Sequence, residues 1–435
     1  MFDVYAEILK LPKSGIGPPL DRLARTFGEL WPRPGGSGPR ILHVVGSNGK
    51  GSTAAFLEAL LQRIGIRTGL FTSPHYFDFA ERIRIDGRPV GQGDLEAAWR
   101  YFAERARPPL RFGGFEAMTV MAAWLFARAR PDVLIVEAGI GGRYDPTRLF
   151  GGDLAILTSI DLEHSEILGG SMEEIAGDKL DVVGLGGSVL TGWLDRGLRD
   201  FCETYAGLSG RRLDYASPAY EVATGRFAET LRVAVTSPEL GGDRPIEYRI
   251  PAGYFIRNTI LAHRAAERLV PPVAHKALRT EFERLCEVFT LPGRFENIAA
   301  APRLFCDVAH TPGAVGDVIE TCRRLFPDDP PVFILGMSVD KDFPQMCRLL
   351  GSYGRHFLTF PAAHKGEPPD VLADHLRAAN PAARVECFAS ARAVAERVAA
   401  EGAPGSTLVA TGGLFSSIEF RTVVLGGDPS ILSFY

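Results

Sequence analysis

A glycine-rich segment between an apolar strand and an amphipathic helix is the feature that most constrains this chain. Arg40–Val45 predict a buried strand, and apolar residues recur at helical spacing from Phe56 to Ile64. Between them stand Gly46-Ser47-Asn48-Gly49-Lys50-Gly51-Ser52-Thr53. Glycines let backbone N–H groups approach phosphate oxygens, Lys50 adds positive charge, and Ser52 or Thr53 can face magnesium. The segment therefore predicts a phosphate loop, although Val at position 44 and Gly51 after the lysine break the strict G-x-x-x-x-G-K-[ST] pattern.

Short apolar runs alternate with amphipathic segments along most of the chain, which predicts an α/β fold with mostly parallel sheets. Buried strands are predicted, among others, at Val133–Glu137, Leu154–Ser159, Leu304–Val308 and Thr407–Thr411. From about residue 186 to residue 248, alternating segments broken by glycine and proline predict a small antiparallel elaboration. We therefore expect an N-terminal P-loop domain at residues 1–290 and a doubly wound, Rossmann-like α/β domain at residues 291–435.

Charge and cysteine usage argue against several classes of protein. The 435 residues include 48 Lys and Arg against 52 Asp and Glu, which argues against a dedicated nucleic-acid binder and against charge-driven membrane attachment. The six cysteines form no C-x-x-C pair and no zinc spacing, as expected for reduced thiols in the cytoplasm. No apolar run reaches ~18 residues and the first residues lack a signal-peptide core, so we expect neither membrane insertion nor secretion.

The phosphate loop and the motifs after it resemble the Mur ligase superfamily, and more narrowly its folylpolyglutamate synthase and dihydrofolate synthase branch. The matching motifs follow in family order: Thr72-Ser73-Pro74-His75, Glu81-Arg82-Ile83-Arg84, residues 137–147, residues 162–169, residues 174–179, residues 291–296, residues 307–312 and Asp340-Lys341-Asp342. Only 45 residues precede Gly46, so we expect no N-terminal nucleotide-sugar domain like that of the peptidoglycan ligases.

The resemblance implies an ATP-dependent ligase that joins a carboxylic acid to an amino acid. ATP would phosphorylate a folate-type carboxylate, L-glutamate would attack the acyl phosphate, and ADP and phosphate would be released. Such chemistry depends mainly on positioning and on charge neutralisation around anionic oxygens. We expect ATP and two Mg²⁺ ions as cofactors, and a monomer whose partners are small molecules rather than nucleic acid or membrane.

The resemblance also implies roles for individual residues. The catalytic set is Lys50, His164, Lys179, Asp307 and His310. ATP would be bound by Gly46, Ser47, Asn48, Gly49, Lys50, Gly51, Ser52, Thr53, Asn258, Arg294 and Asp307. Magnesium would be bound by Ser52, Ser73, Glu137, His164 and Lys179. Lys179 would be N-carbamoylated, because the carbamate replaces a cation by an anionic oxygen ligand.

Taken singly, these residues also have structural interpretations. Glu137 and Arg294 suit ion pairs, and Lys179 suits a solvated helix end. The family's common pattern is not kept at Arg148, Arg257, Val308, Thr311 and Gly413, and added guanidinium groups suit extra carboxylate or phosphate contacts. Two alternatives therefore stay open: a ligase for a different, pathway-specific acid or amino acid, and a non-catalytic ATP-binding regulatory protein.

Overall fold

An eight-stranded sheet carries the phosphate loop. The computed structural model describes residues 2–12, 19–31, 38–106, 112–152, 154–192, 194–216, 221–227, 230–237, 242–401 and 406–432. In chain order the first elements are α1 (Val4–Leu9), α2 (Pro19–Leu30), β1 (Arg40–Val45), α3 (Lys50–Arg63), β2 (Thr68–Phe71), β3 (Ile83–Ile85), β4 (Arg88–Pro89), α4 (Gln92–Arg105), α5 (Gly114–Ala129), β5 (Val133–Glu137), β6 (Leu154–Leu157), α6 (Ser165–Leu168), α7 (Met172–Leu180), β7 (Ser188–Thr191), α8 (Arg196–Leu208) and β8 (Arg212–Tyr215).

The strands of this sheet lie in the order β4-β3-β2-β5-β1-β6-β7-β8. All neighbouring pairs are parallel except β2 with β3 and β3 with β4. All five residues of β5 are buried, as a central strand covered on both faces requires. Beneath β1, Phe56 of α3 packs edge-on against Phe282 and Phe289. This packing fixes the helix that follows the phosphate loop.

A three-stranded antiparallel sheet and two helices come next. They are β9 (Glu221–Phe227), β10 (Thr230–Ser237), β11 (Gly242–Ile250), α9 (Tyr254–Leu269) and α10 (His275–Val288). The strand order is β11-β10-β9, and both pairs are antiparallel. The predicted antiparallel elaboration is thus confirmed for these strands. It is wrong for β7 and β8, which extend the large parallel sheet because the crossover through α8 returns the chain in the same direction.

A second, six-stranded sheet forms the C-terminal part. Its elements are β12 (Glu296–Ala300), β13 (Arg303–Cys306), α11 (Pro312–Leu325), β14 (Val332–Leu335), α12 (Phe343–Tyr353), β15 (His356–Thr359), α13 (Pro369–Ala379), β16 (Arg384–Cys387), α14 (Ala391–Glu401), β17 (Thr407–Thr411) and α15 (Leu414–Val424). The order is β12-β13-β17-β14-β15-β16, with only β12 antiparallel to its neighbour. The predicted fold class is confirmed, whereas the boundary at residue 291 stays a prediction.

The cysteines and the apolar character of the helices can also be compared with the sequence expectations. The six cysteines are free thiols, and all but Cys387 are buried. Among the residues described, no helix combines the length and apolar character that crossing a membrane requires.

Candidate active site

The phosphate loop leaves the carboxyl end of β1 and is tied to the segment after β6. Gly46 and Gly49 have φ angles of 144° and 85°, in the region that glycine tolerates best. A Cβ atom on Gly46 would lie 2.0 Å from Oγ1 of Thr158. The amides of Ser47 and Asn48 donate to the carbonyl oxygen (2.9 Å) and to Oγ (2.8 Å) of Ser159. The loop is therefore held open in a conformation that only small residues allow.

Groups able to bind an anion stand at the start of α3. Gly49 caps this 14-residue helix without a side-chain hydrogen bond, so its N-terminal amides are available to a phosphate. Lys50 Nζ donates to the carbonyl oxygens of Gly46 (2.8 Å) and Ser47 (3.3 Å), which holds the ammonium over the loop. The hydroxyls of Ser52 and Thr53 are buried and have no hydrogen-bond partner within the described residues. An unpartnered buried hydroxyl costs about 1–3 kcal/mol, so these two oxygens suit a ligand.

Glu137 lies at the end of β5, against the start of α3. Its Oε2 accepts the backbone N–H of Ser73 at 3.2 Å, and a Cβ atom on Gly51 would lie 3.5 Å from that same oxygen. Burial raises the pKa of Glu137 to about 7, while nearby Lys50 opposes the rise. A buried carboxylate suits a cation, and Ser52 adds an unpartnered oxygen.

The donor set decides which cation fits. Within the described ranges, no group of three or more His, Cys, Asp or Glu side chains is arranged to hold a metal. One carboxylate and one or two hydroxyls suit Mg²⁺, which keeps several waters and shares phosphate oxygens instead of being caged by protein. The residues present therefore fit magnesium delivered with a nucleotide.

Lys179 is buried in the last turn of α7, so the interpretation as a solvated helix end is wrong. Its Nζ donates to Oε1 of Glu163 at 3.1 Å. Burial, with the charge of Lys50 adding to it, lowers the pKa of Lys179 to about 8. His164, at φ 48°, precedes α6 and is exposed. The structure thus adds Glu163, which the sequence motif contained but gave no role.

The C-terminal part contributes a second group of polar side chains. Asp307 accepts hydrogen bonds from the Tyr254 hydroxyl (2.6 Å) and from the amides of Phe295 and Ala309 (2.9 Å each). Burial raises the pKa of Asp307, and the neighbouring Arg294 opposes the rise. His310 Nδ1 lies 2.9 Å from the carbonyl oxygen of Val308.

Electrostatics keep His310 neutral. Burial, followed by the charge of Lys341, lowers its pKa to about 4. The same Lys341 also acts electrostatically on His164, so this cation of the Asp340-Lys341-Asp342 motif faces the site. Sequence reasoning assigned Lys341 no role, although the motif was matched.

A cavity of about 340 Å³ separates the phosphate loop from the C-terminal part. Seven predicted residues line it: Asn48, Gly49, Ser52, Asn258, Arg294, Asp307 and His310. Asn258 of α9 presses against the loop, since a Cβ atom on Gly49 would lie 2.5 Å from its Oδ1. Ser73, Glu137, His164 and Lys179 lie outside the lining. The cavity therefore brings together six of the eleven residues predicted to bind ATP, and Gly46, Ser47, Lys50, Gly51 and Thr53 lie outside its lining, as do the predicted metal ligands other than Ser52.

The residues that depart from the family pattern have partners of their own. Arg257 forms an ion pair with Asp317 of α11, and both line the cavity. Thr311 Oγ1 accepts from Nδ2 of Asn48 at 3.2 Å and also caps α11. Arg148 Nη1 donates to the Arg143 carbonyl oxygen at 2.9 Å. Sequence reasoning could flag these positions but could not supply their partners.

Comparison with known proteins gives matches over nearly the whole chain. Residues 293–414 match the family described as "Mur ligase, glutamate ligase domain". The chain is 33% identical over 427 residues to the "Probable bifunctional folylpolyglutamate synthase/dihydropteroate synthase" of Halobacterium salinarum, a match covering 94% of this chain and 49% of that protein. It is 28% identical to the "Dihydrofolate synthase/folylpolyglutamate synthase" of Mycobacterium tuberculosis, over 82% of this chain and 76% of that one.

Some of the relatives are longer than this chain, and solved structures share its fold. The chain spans about half the length of the Halobacterium salinarum and Haloferax volcanii relatives. Among solved structures, Escherichia coli FolC with ADP and without folate substrate is 26% identical, with a TM-score of 0.80 over 97% of each chain. Mycobacterium tuberculosis folylpolyglutamate synthase with ADP and AMPPCP shares the fold at a TM-score of 0.81 and 24% identity, over 98% of this chain and all of that one.

Proposed function

Because the chain belongs to the Mur ligase superfamily, in its folylpolyglutamate and dihydrofolate synthase branch, we propose that it is an ATP-dependent amide ligase. It joins L-glutamate to a folate-type carboxylate through an acyl phosphate and releases ADP and phosphate. The observation that carries the proposal is the cavity in which the phosphate loop faces Arg294, Asp307 and His310. An electron-poor carbonyl could be made and attacked there only if several anionic oxygens were neutralised together.

The residues of the loop would bind and orient the nucleotide. The amides at the start of α3 and the Lys50 ammonium suit the phosphates, and Arg294 brings a further positive charge from the opposite wall. Asp307 is fixed by three donors and stands beside Tyr254, so it suits a hydroxyl or amino group of the nucleotide. His310 is neutral at physiological pH, and its one N–H lies on Nδ1, which donates to the Val308 carbonyl oxygen, so Nε2 offers the site a hydrogen-bond acceptor without adding charge.

Ser52, Ser73, Glu137 and His164 would hold magnesium, and Lys179 would do so as a carbamate. Magnesium supplies positive charge at the phosphate oxygens. Lys179 supports this assignment because its lowered pKa leaves part of the amine neutral near pH 8, the form that reacts with carbon dioxide. Glu163 must then release Lys179, since a carbamate and a carboxylate repel each other.

The identity of the substrates rests on the relatives, whose names include folylpolyglutamate synthase and dihydrofolate synthase. The departures from the family pattern do not favour a more anionic acid, because Arg148 and Arg257 are already engaged by protein groups. A regulatory ATP-binding protein would have no use for the buried Glu137 and Lys179 beside the loop. We place the ligase in the cytoplasm, as a monomer.

The proposal is tested by a matrix of acids and amino acids with purified protein, ATP and Mg²⁺. Dihydropteroate, reduced folates and unrelated carboxylic acids are each paired with L-glutamate, L-aspartate or no amino acid. We expect ADP release only when a folate-type acid and L-glutamate are both present, with one glutamyl residue added to the product mass. Release of AMP and pyrophosphate, or ADP release that ignores both substrates, would overturn the proposal. Ligation of another acid alone would assign a different substrate.

A further inference from the structure

Arg421 of α15 joins two segments that lead to different sides of the candidate active site. Its guanidinium grips the Glu296 carboxylate with two hydrogen bonds, Nε to Oε2 at 2.6 Å and Nη2 to Oε1 at 2.7 Å. Its Cζ also lies 5.0 Å from the ring centre of Phe77, which belongs to the N-terminal part. The Arg421 and Glu296 side chains are only 15% and 19% exposed. Arg421 and Glu296 therefore form a bidentate, largely buried ion pair, which is stronger than an ion pair at the surface.

The segment that contains Phe77 leads to Glu137. Residues 76–78 are folded around the Glu81 carboxylate, which accepts the amides of Tyr76, Phe77 and Asp78 at 2.9, 3.1 and 3.0 Å. Four residues before Phe77, the Ser73 amide donates to Glu137. Any movement of the Phe77 ring is thus passed along a short, hydrogen-bonded segment to the donor that orients the Glu137 carboxylate.

The segment held by Glu296 leads to Arg294. Glu296 Oε2 accepts the Gly293 amide at 2.8 Å, and Gly293 has a φ of 62°. The turn is closely packed, since a Cβ atom on Gly293 would lie 2.6 Å from Val308 Cγ1. Arg294, the next residue, acts electrostatically on Tyr76 and on Glu137. One segment therefore ends at Glu137 and the other at Arg294, two residues that influence each other electrostatically.

We propose that Arg421 is a positioning residue, which sets Arg294 through Glu296 and sets the Ser73–Glu137 contact through Phe77. The role rests on the proposed function only in that it assumes a magnesium nucleotide between Glu137 and Arg294. Arginine can fill this positioning role and lysine cannot. Only the planar guanidinium can donate two hydrogen bonds to a carboxylate along one edge and also present its face to an aromatic ring.

The simpler interpretation is that Arg421 only stabilises the fold. The two interpretations differ in what they predict for nucleotide binding at equal stability. A stabilising contact changes the melting temperature and leaves the intact fraction with normal affinity. A positioning residue changes the dependence of affinity on Mg²⁺ even where the protein is fully folded, because Glu137 and Arg294 no longer face the ligand correctly.

The test compares Arg421→Lys and Phe77→Leu, singly and together, with Phe77→Tyr and Arg105→Lys. Phe77→Tyr keeps the ring, and Arg105→Lys alters an arginine that likewise pairs with a glutamate (Glu29, 3.5 Å) and covers a ring (Tyr101, 3.7 Å) outside the cavity. The probe is a fluorescent ADP analogue, titrated with Mg²⁺ and with EDTA, beside the melting temperature. This readout does not depend on which acid is ligated, so failure of the substrate proposal leaves it intact.

We expect Arg421→Lys and Phe77→Leu each to reduce the Mg²⁺-dependent gain in affinity by about tenfold, well below the melting temperature. The double variant should lose no more than the worse single variant, because both changes break one connection. Phe77→Tyr and Arg105→Lys should match the wild type. An unchanged Mg²⁺-dependent gain in both folded single variants would overturn the proposal, as would independent, additive losses. If Arg421→Lys does not fold, the Mg²⁺-dependent gain in affinity of Phe77→Leu is compared with that of Phe77→Tyr, and equal gains would overturn the proposal.

Discussion

Lys179 and Glu163 place opposite charges in the interior beside the phosphate loop. The Lys179 side chain is 2% exposed and that of Glu163 is 12% exposed. Although burial opposes ionisation, Lys50 and Lys179 lower the pKa of Glu163 to about 2, so the carboxylate is charged at every working pH. Removing one partner of an ion pair this deeply buried strongly destabilises the folded protein if the other partner stays charged. Whether the pair or a carbamate is the working form can be decided with substitutions on both sides.

Glu163→Gln removes the anion that keeps Lys179 protonated, so the pKa of Lys179 falls further and more amine can react with carbon dioxide. We expect this variant to retain activity and to need less added bicarbonate than the wild type. Lys179→Arg should lose activity at least about 100-fold, because arginine cannot form the carbamate. Lys365→Arg, at an exposed pair with Asp340, is the control. Turnover with and without bicarbonate, and the carbamate signal from isotope-labelled bicarbonate, are measured. Normal turnover in folded Lys179→Arg would exclude the carbamate.

The glycine at position 46 gives a second test at this scale. Gly46→Ala would force a Cβ atom to within 2.0 Å of Thr158 Oγ1, at a φ that alanine avoids. We expect the unfolding free energy to fall by about 1–3 kcal/mol and ADP binding to be lost. Gly28→Ala in α2 meets nothing within 4 Å and should instead raise stability by about 0.5–1 kcal/mol. Thermal unfolding and ADP titration distinguish the two, and tight ADP binding by Gly46→Ala would contradict the loop geometry.

At the scale of elements, α9 contains a buried histidine that no catalytic role explains. His263 packs edge-on against Phe282 of α10, with ring centres 4.7 Å apart, and neither of its ring nitrogens has a hydrogen-bond partner among the described residues. Burial, with Arg264 adding to it, lowers the pKa of His263 from its usual 6.5 to about 3. The packing of α9 on α10 is thus sensitive to acid.

Proton linkage decides in which direction the unfolding free energy changes with pH. Below pH 6.5 the unfolded chain binds a proton at His263 before the folded protein does, so this residue makes unfolding easier as the pH falls towards 3. We expect His263→Phe to raise the unfolding free energy by about 1 kcal/mol at pH 7.5, and by ~2 kcal/mol more at pH 5. The exposed His356→Phe is the control. Denaturant unfolding at both pH values measures the difference, and equal gains at the two pH values would contradict the assigned pKa.

The sequence predicted some elements better than others, for physical reasons. Val133–Glu137 and Thr407–Thr411 were predicted with the observed bounds, because a strand buried on both faces is a continuous apolar run. At the sheet edge β8 carries exposed Arg212 and half-exposed neighbours, so its four residues do not differ from those of an antiparallel ribbon. Local pattern cannot distinguish these cases, because the direction of pairing depends on the crossover through α8.

The candidate site shows the same division. Residues fixed by local backbone demands, such as Gly46 and Gly49, could be predicted from the motif alone. Pairings between segments distant in sequence could not: Lys179 with Glu163, Arg257 with Asp317, and Arg421 with Phe77. Periodicity places a residue on a face of its own element, but the neighbour across that face is decided by tertiary packing.

At the scale of the whole molecule, side-chain contacts join the two walls of the cavity. Arg257 of α9 and Asp317 of α11 form an ion pair across the cavity, and their side chains are 42% and 33% exposed. At such exposure the pair itself adds no more than about 1 kcal/mol. The charges matter more for the ligand, since Asp317 without Arg257 would present an unpaired carboxylate to an anionic nucleotide.

Charge substitutions should therefore have unequal effects. We expect Arg257→Ala to weaken ADP binding about threefold to tenfold, and Asp317→Ala to weaken it less, because only the first leaves an unpaired anion in the cavity. The exchange Arg257→Asp with Asp317→Arg should recover most of the loss. ADP affinity at low and high salt is measured by calorimetry. Equal effects of the two single changes, insensitive to salt, would show that the pair does not face the nucleotide.

The central claim is that the molecule makes an amide by way of an acyl phosphate. A folate-type acid labelled with heavy oxygen in its carboxylate is incubated with the protein, ATP, Mg²⁺ and L-glutamate, and the phosphate and the ligated product are analysed by mass spectrometry. We predict that one labelled oxygen per amide bond appears in inorganic phosphate, with ADP released in equal amount, and that Lys50→Ala abolishes both. Amide formation with unlabelled phosphate, or with AMP and pyrophosphate, would contradict it.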